Sequence, residues 1–430
     1  MECQRCILPD TYPGIYFDDA GVCNVCRSYE QKWEQKDYEA SKKQLGEIIE
    51  HYRGKNKKYD CIVPLSGAKD STYVLYYLKK KYDLRILAVN HKNGFQTPQA
   101  LENMENACKV LDVDFISFMP RWEVLRHAYA KFFRKTGEFC VPCNQGTFAT
   151  VYHASEDNQT PLVVMGYTAQ VEISPIWSGM RFCREKLFKE VMKGEMSEED
   201  LEWFLIDPLK RRTPVHVISL FSYVNWEPDI IFPTLRNELK WKEGPYGWDK
   251  VDCKYLPIAK YFRRKRSGFS RETITNAAAV RIGLMSREEA FRKTQEEESH
   301  TEEPPVMEDW LGTLGLTRDD LTGFEKRSRL DFVNRIVTDE DYEKLRNLNG
   351  KLTPEETIEK VLETVRPEFH RDGGDVELDR IEDGIAYVTF KGDCKWCYMS
   401  PAVDTNYLEG LVLPIVPEIK SIEIATEFAD

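Results

Sequence analysis

A short apolar run that ends in a glycine-containing loop and continues as a helix constrains the fold of this chain more than any other feature. Residues 61–82 read CIVPLSGAKDSTYVLYYLKKKY, where a buried strand gives way to apolar residues at helical spacing. The alternation continues through RILAVNH, PQALENMENACKVL, DFISFMP and PLVVMGY, which predict further strands and a helix. Strands that alternate with helices predict an α/β fold with a parallel, doubly wound sheet.

The loop within this segment has the composition of an anion-binding turn. Gly67 can adopt backbone angles that other residues avoid, so successive amides can face one anion, and the following helix adds its positive end. Hydroxyl and ammonium groups surround the turn on Ser66, Lys69, Ser71 and Thr72. We expect a phosphate or pyrophosphate there, although composition alone leaves an ordinary strand-to-helix turn as the alternative.

The run SGAKDS resembles the PP-loop, SGGKDS, of the ATP pyrophosphatase superfamily, whose members adenylate a carbonyl oxygen and release pyrophosphate. Ala68 replaces the second glycine, which is tolerated if that residue has ordinary backbone angles. The resemblance implies an adenine nucleotide alpha-hydrolase-like fold, ATP and Mg²⁺, with Asp70 and Lys69 in catalytic roles. It also implies that Asn90 to Asn93 lie near the adenine. The implied nucleotide-binding residues are Ser66, Gly67, Ala68, Lys69, Asp70, Ser71, Thr72, Asn90 and Gly166.

Eight of the twelve cysteines fall into four C-x-x-C pairs. The pairs are Cys3/Cys6, Cys23/Cys26, Cys140/Cys143 and Cys394/Cys397. In a chain of this size without a visible export signal, paired thiols predict metal or redox chemistry and a reducing, cytoplasmic location. No apolar run approaches the roughly 20 residues that span a bilayer, so no membrane contact is expected.

The first two pairs are separated by sixteen residues, a spacing typical of a structural zinc knuckle with four sulfur ligands. A rubredoxin-like iron site or four unrelated thiols are the alternatives.

The third pair, Cys140-Val-Pro-Cys143, offers only two local ligands, and Cys253 is the expected third. The arrangement resembles that of cluster-dependent tRNA thiolases in the PP-loop superfamily. There, a C-x-x-C pair and one distant cysteine hold a [4Fe-4S] cluster whose fourth iron is open to sulfide. Cys183 is the rival third ligand. A second structural zinc and a catalytic persulfide or redox pair also stay open.

The C-terminal segments VRPEFHRDGGDVEL and GDCKWC resemble the NifU-type domain, a small α/β iron–sulfur scaffold. The resemblance implies that Cys394 and Cys397 hold a [4Fe-4S] cluster shared between two domains. It therefore implies a homodimer or a handover complex with a cysteine desulfurase or another Fe–S assembly partner; a purely structural role is the alternative. Thr353 and Glu356 fit a capping box at the start of its first helix.

We expect four segments along the chain. A zinc knuckle and leading helix occupy 1–55, and the PP-loop ATP pyrophosphatase domain with a helical extension occupies 56–295. A linker with helical character covers 296–350, because TQEEESHTEEPP is acidic and ends in two prolines. The NifU-like domain occupies 351–430.

Over roughly residues 1–295 the sequence also resembles the N-acetyl sugar amidotransferases of surface-polysaccharide biosynthesis, in phrases such as TGEFCVPCNQG and GLMSREEAF. Those enzymes use ammonia from a partner glutaminase. Where they carry a segment with histidine and glutamate, this chain reads DKVDCKYLP. The cysteine and the fused scaffold favour an ATP-dependent sulfurtransferase that replaces an adenylated carbonyl or amide oxygen with sulfur carried by the cluster. An amidotransferase and a non-catalytic Fe–S assembly factor are the alternatives.

The formal net charge of −12 means that the overall field repels nucleic acid. A sugar or another small molecule is therefore the favoured substrate over tRNA, although the basic patch YFRRKRSGFSR at 261–271 could contact phosphates.

Overall fold

A computed structural model of the 430-residue chain describes residues 1–12, 15–167, 170, 184–206, 215–245, 251–299, 302–327, 338–348, 350–371, 373–396 and 404–425.

Its central sheet has five strands, which are β1 (Cys61–Pro64), β2 (Ile86–His91), β3 (Asp114–Phe118), β4 (Leu162–Met165) and β5 (His216–Ser219). They run in the order β3-β2-β1-β4-β5, and every neighbouring pair is parallel. The strand order reverses beside β1, where the chain steps from one half of the sheet to the other. The predicted parallel sheet is confirmed.

Helices cover both faces of this sheet. Before and between the strands lie α1 (Asn24–Tyr29), α2 (Tyr38–Tyr52), α3 (Lys69–Tyr82), α4 (Pro98–Leu111), α5 (Trp122–Thr136), α6 (Cys140–Asn158), α7 (Arg184–Met192) and α8 (Glu198–Phe204). After β5 follow α9 (Pro228–Leu239), α10 (Leu256–Ser267), α11 (Arg271–Arg281), α12 (Arg287–Ser299) and α13 (Met307–Leu314). A π-helical turn covers Glu30–Glu34, and 3-10 turns cover Leu220–Ser222, Arg318–Leu321 and Phe324–Lys326.

Successive residues of β1 enter different cores, as alternation of side chains across a strand requires. Cys61 and Val63 pack with α2, α3, α4 and α9, whereas Ile62 packs with α6 on the opposite face. The doubly wound arrangement follows from this alternation.

The C-terminal unit has a separate core and its own three-stranded sheet. It contains α14 (Asp339–Arg346), α15 (Pro354–Arg371), β6 (Gly374–Glu382), β7 (Ile385–Gly392), a 3-10 turn (Asp393–Trp396), α16 (Thr405–Val412) and β8 (Ser421–Ile424). The predicted capping box is present, since the Thr353 amide donates to Glu356 Oε2 at 2.9 Å and the Glu356 amide donates to Thr353 Oγ1 at 3.2 Å.

Within the segment predicted as a linker, α13 contributes a large side chain to the helical core. Trp310 is fully buried, with its ring edge-on to Phe133 at 4.9 Å and tilted against Phe262 at 5.3 Å. α13 is therefore part of the packed body. Across the described residues, no helix is both long enough and apolar enough to cross a bilayer.

We predict that Trp310→Ala lowers the free energy of unfolding of this core by about 3–5 kcal/mol, because a fully buried indole leaves a cavity. Hydrogen exchange of the α5 amides measures this loss locally. Leu352→Ala, at a side chain that is 39% exposed, is the control and leaves the exchange unchanged. Equal protection in both variants would show that α13 is not part of the core.

Candidate functional site

The loop between β1 and α3 requires glycine at one position and accepts alanine at the next. Gly67 has a φ of +78°, and a Cβ there would lie 2.2 Å from the carbonyl oxygen of Ala100 in α4. The Gly67 carbonyl accepts hydrogen bonds from Asn103 Nδ2 at 3.1 Å and from Trp241 Nε1 at 2.9 Å. Ala68 has ordinary extended angles (φ −76°, ψ 163°), so the departure from the PP-loop pattern places no strain on the backbone.

The start of α3 carries a buried charge pair. The Lys69 ammonium is 2.8 Å from Asp70 Oδ2, and the Lys69 side chain is 3% exposed. The other carboxylate oxygen, Asp70 Oδ1, accepts the indole N–H of Trp226 at 2.8 Å. A positive group and a helix N-terminus thus meet at the turn, which is a suitable place for a phosphate group.

Two other predicted nucleotide residues flank the loop. A Cβ on Gly166, at the end of β4, would lie 2.8 Å from the Asp70 carbonyl carbon and the Ser71 nitrogen, so β4 lies directly against the first turn of α3. Asn90 is buried, and its amide donates to the Leu65 carbonyl at 2.8 Å. Its oxygen accepts from Ser117 Oγ and from Gln96 Nε2, both at 2.9 Å. Asn90 therefore holds the loop after β2 in place, and direct contact with an adenine stays a prediction.

Cys143 and the neighbour of Cys253 contact that same loop after β2. Cys140 is the exposed first residue of α6, Cys143 lies one turn later, and Cys253 precedes α10. Asn93 Nδ2 donates to Cys143 Sγ at 3.4 Å, while the Lys254 amide next to Cys253 donates to the Phe95 carbonyl at 2.8 Å. The segment 93–95 thus contacts the surroundings of both Cys143 and Cys253.

Tyr129 of α5 is a common neighbour of the three cysteines. Its hydroxyl donates to the Asn93 carbonyl at 3.1 Å. Burial first, and then the charges of Cys143, Cys253 and Cys140, raise the pKa of Tyr129. Burial and the charges of Cys140 and Cys143 likewise raise the pKa of the Cys253 thiol. The three sulfurs therefore lie within electrostatic reach of one another, at the positive N-terminus of α6.

The spacing of these sulfurs differs from that of a single-ion site. Sulfurs at about 2.3 Å from one tetrahedral zinc lie about 3.8 Å apart. Among the residues described, the group with three or more ligand atoms all within 4.8 Å of one another is that of Cys3, Cys6, Cys23 and Cys26. Thiolates on separate irons of a cluster lie farther apart than this. The choice between a cluster and a second zinc at Cys140, Cys143 and Cys253 stays a prediction. Cys183, the rival ligand, lies outside the described residues.

The N-terminal four-cysteine group has single-ion geometry. Cys3 Sγ is 3.9 Å from Cys26 Sγ, and Cys6 Sγ is 3.8 Å from Cys23 Sγ. All four are completely buried. Backbone amides point at the sulfurs, for example Cys23 N at 3.2 Å from Cys3 Sγ, as suits thiolates. The donor set is complete without solvent, so a bound ion would be structural.

A buried arginine shows that these sulfurs are suited to carry negative charge. Arg281 of α11 is 5% exposed, and within the described part of the chain its guanidinium nitrogens have no nitrogen or oxygen hydrogen-bond partner, while interaction with Cys26 helps to raise its pKa. Burial alone would lower its pKa, but the charges of Cys6, Cys26 and Cys23 outweigh burial and raise it. Four thiolates around a divalent ion have a net charge of −2, which a buried cation stabilises. The residues therefore fit a bound zinc or iron ion.

The turn that carries Cys394 in the C-terminal unit requires glycine at position 374 of the DGGD sequence. Cys394 is 3% exposed, and a Cβ on Gly374 would lie 2.2 Å from its sulfur. Only glycine lets the start of β6 approach this turn so closely. Cys397 lies outside the described residues.

Sequence reasoning missed Tyr129, Trp226, Trp241 and Arg281. The tryptophans and Tyr129 look like ordinary core residues in the sequence, but Arg281 ends the apolar run AAAV, and a charge there was a usable signal. The predicted basic patch serves internal contacts at two positions. Arg264 Nη1 donates to the Glu297 carbonyl at 3.1 Å, and Arg266 donates to the Thr136 carbonyl and to Glu138.

Comparisons with known proteins agree with the C-terminal assignment. Residues 358–423 match the model of the NifU-like domain family, so the chain carries a NifU-like domain. A 69-residue stretch, 16% of this chain, is 35% identical to NifU-like protein 2, chloroplastic, of Arabidopsis thaliana and spans 29% of that protein.

The larger part of the chain matches an uncharacterised protein of Methanocaldococcus jannaschii, at 24% identity over 300 residues that span 69% of this chain and 93% of the relative. Among solved structures, the chain is similar to the U34-tRNA thiolase NcsA from Methanococcus maripaludis with its [4Fe-4S] cluster. The match covers 70% of this chain and 88% of the thiolase chain, at 16% identity and a TM-score of 0.30. The fold itself is defined by the strand order and by the loop at Gly67.

We predict that Gly67→Ala abolishes binding of ATP, whereas Ala68→Gly leaves it within about twofold. The added methyl at position 67 meets the Ala100 carbonyl and a left-handed backbone, while position 68 has ordinary angles. Isothermal titration with ATP and Mg²⁺ measures both, and far-ultraviolet circular dichroism checks that each variant is folded. Normal binding by a folded Gly67→Ala variant would contradict this prediction.

We predict that Arg281→Met makes the knuckle release its metal to a chelator about 10–100-fold faster, because the thiolates lose their buried counter-charge. The rate of zinc transfer to a colorimetric chelator measures it. Arg292→Met, in the neighbouring helix and 67% exposed, is the matched control. The role of Arg281 is rejected if the two variants release metal equally fast.

Proposed function

We propose that this protein is an ATP-dependent sulfurtransferase of the PP-loop type, which adenylates a carbonyl or amide oxygen and replaces that oxygen with sulfur. The observation that carries the proposal is the shared loop after β2. Asn90 ties the start of this loop to Leu65 beside the phosphate loop, and Asn93 and Phe95 tie its middle to Cys143 and to the neighbour of Cys253. The proposed nucleotide site and the proposed cluster ligands are thus linked by one loop that follows β2, at the carboxyl edge where α/β sheets bind ligands.

In the first step, the substrate oxygen attacks the α-phosphorus of ATP, an adenylate forms and pyrophosphate leaves. The Lys69 ammonium and the amides at the start of α3 stabilise the negative charge of the departing pyrophosphate. Asp70, held by Trp226, is placed to hold Mg²⁺ or to orient the substrate. Gly67 lets the backbone approach the phosphates closely.

In the second step, sulfide displaces AMP from the adenylated carbon. Cys140, Cys143 and Cys253 would hold a [4Fe-4S] cluster, which would supply that sulfide. The amide of Asn93 donates to Cys143 Sγ and orients that ligand. Beside the proposed site, the ring of Phe95 packs against the rings of Tyr129 and Tyr255, with centres 4.6 and 5.0 Å away.

The fused NifU-like domain supports sulfur over nitrogen, because transfer of ammonia has no use for an iron–sulfur scaffold. We propose Fe–S assembly proteins or a cysteine desulfurase as partners. Two copies of the chain could also form a homodimer in which their NifU-like domains share one cluster. The acidic overall charge and the internal bonds of Arg264 and Arg266 favour a sugar or another small molecule as substrate over tRNA. Zinc in the knuckle and a cytoplasmic location complete the proposal.

The test is anaerobic purification with assays of iron and acid-labile sulfide. To remove the contribution of the C-terminal domain, every variant carries Cys394→Ser. We predict that Cys253→Ala then loses most of its iron, since two thiolates do not retain a cluster. Cys108→Ala, at a core cysteine whose pKa burial raises to about 12, is the matched control and keeps its iron.

Full retention of iron by the Cys253→Ala variant would remove the third ligand and with it the proposal. Incorporation of ³⁵S from labelled sulfide into product supports sulfur transfer. Incorporation of ¹⁵N from ammonia, with a glutaminase required, supports the amidotransferase instead.

A further inference from the structure

The NifU-like domain is held against the N-terminal cysteine region by a buried ion pair. Lys32 Nζ lies 2.5 Å from Glu409 Oε2, and the two side chains are 14% and 4% exposed. The second carboxylate oxygen, Glu409 Oε1, accepts the Ile422 amide at 2.9 Å. Both oxygens of this carboxylate are therefore satisfied, one from within its own domain and one from the knuckle. A buried pair with both partners satisfied is strongly sensitive to the loss of either member.

Other contacts surround this pair. Lys36 Nζ is 3.9 Å from Glu423 Oε1 in β8, and the Lys36 side chain is 11% exposed. Arg346 of α14 lies over the ring of Tyr16, 5.1 Å from its centre. All three side chains on the N-terminal side belong to residues 16–36. At two of these contacts a basic group of residues 16–36 faces an acidic group of the NifU-like domain. The C-terminal unit also contacts α7, where Lys186 Nζ donates to the Arg371 carbonyl at 2.8 Å.

The four-cysteine group builds the segment that presents Lys32. The Cys23 side chain caps α1 by accepting the Cys26 amide, and α1 continues directly into the π-helical turn of Glu30–Glu34. Arg5, between Cys3 and Cys6, pairs with Glu30 and with Glu34, which flank Lys32. Both halves of the knuckle thus fix the turn, one through the helix and one through Arg5.

We propose that the cysteine knuckle is the docking platform of the NifU-like domain: metal binding by Cys3, Cys6, Cys23 and Cys26 positions the Glu30–Glu34 turn so that Lys32 holds Glu409. The knuckle then does more than stabilise the N-terminus, because loss of its metal releases the scaffold domain. This inference is independent of the chemistry proposed for the mid-chain cysteines and holds whichever atom the enzyme transfers.

Charge reversal at the docking pair tests the contact in the full-length chain. Lys32→Glu places two carboxylates together, while every bond within the NifU-like domain, including that of Glu409 to Ile422, is kept. We expect at least about tenfold faster hydrogen exchange in α16 and a larger radius of gyration in solution scattering. Lys32→Arg keeps both measurements at wild-type values, because it keeps a positive charge opposite Glu409.

Lys344→Glu, in an exposed pair within α14 of the C-terminal unit, is the charge-matched control and changes neither measurement. Unchanged exchange and scattering in Lys32→Glu would overturn the docking contact.

Removal of the metal tests the platform. A chelator, or Cys26→Ser, is expected to raise hydrogen exchange in the Glu30–Glu34 turn and in α16 together, and to enlarge the radius of gyration. If exchange rises only in the turn while α16 stays protected, the knuckle is a local structural site and the proposal fails. Neither hydrogen exchange nor the radius of gyration depends on ATP, iron or turnover. A failed docking test therefore leaves the proposed sulfur transfer intact, and a failed sulfur-transfer test leaves the docking proposal intact.

Discussion

The buried amide of Asn90 is the interaction on which the rest of the site depends. One side-chain amide bridges the end of β1, the neighbouring strand β3 and the loop that follows β2. A buried amide has a strict geometry because each of its donors and acceptors needs a partner. Its bonds therefore fix where the loop after β2 begins. The same loop then reaches the cysteines through Asn93 and Phe95. A single polar side chain thus links the end of β1 to the segment that contacts Cys143 and the neighbour of Cys253.

Negative charge on sulfur is the second organising constraint. At the knuckle, the positive charge of Arg281 from α11 balances the negative charge of the cysteine sulfurs. Arg287 of α12 donates to the Cys3 and Cys6 carbonyls. The helical extension after β5 is therefore part of the four-cysteine site and does not merely follow it in sequence. The same site also begins α1, which leads to Lys32 and its ion pair with Glu409. The knuckle therefore connects the N-terminus, the helical extension and the NifU-like domain.

Local sequence was sufficient for features whose cause is local. The glycine at 67, the parallel sheet, the capping box at Thr353 and the four-cysteine knuckle all depend on residues close together in the chain or on fixed spacings. The sequence could not reveal contacts between distant segments. Lys32 and Glu409 are 377 positions apart, and nothing near either residue identifies its partner. Likewise, the burial of Trp310 could not be read from an acidic, proline-containing neighbourhood, because the core that receives it is built from α5 and α10.

The environment of Cys253 helps to separate the possible roles of the mid-chain cysteines. A persulfide or redox cysteine must ionise readily and meet its partner in solution, which requires an exposed thiol with a depressed pKa. Burial and the neighbouring sulfurs raise the pKa of Cys253 instead. A coordinated metal ionises such a thiol directly, because the cation supplies the charge that the protein environment withholds. Cys253 is therefore better suited to bind a metal than to act as a free nucleophile, whereas the exposed Cys140 leaves the persulfide or redox alternative open for its own pair. The segment from Asn93 to Phe95 contacts both Cys143 and the neighbour of Cys253, and it would orient both cysteines in the proposed centre.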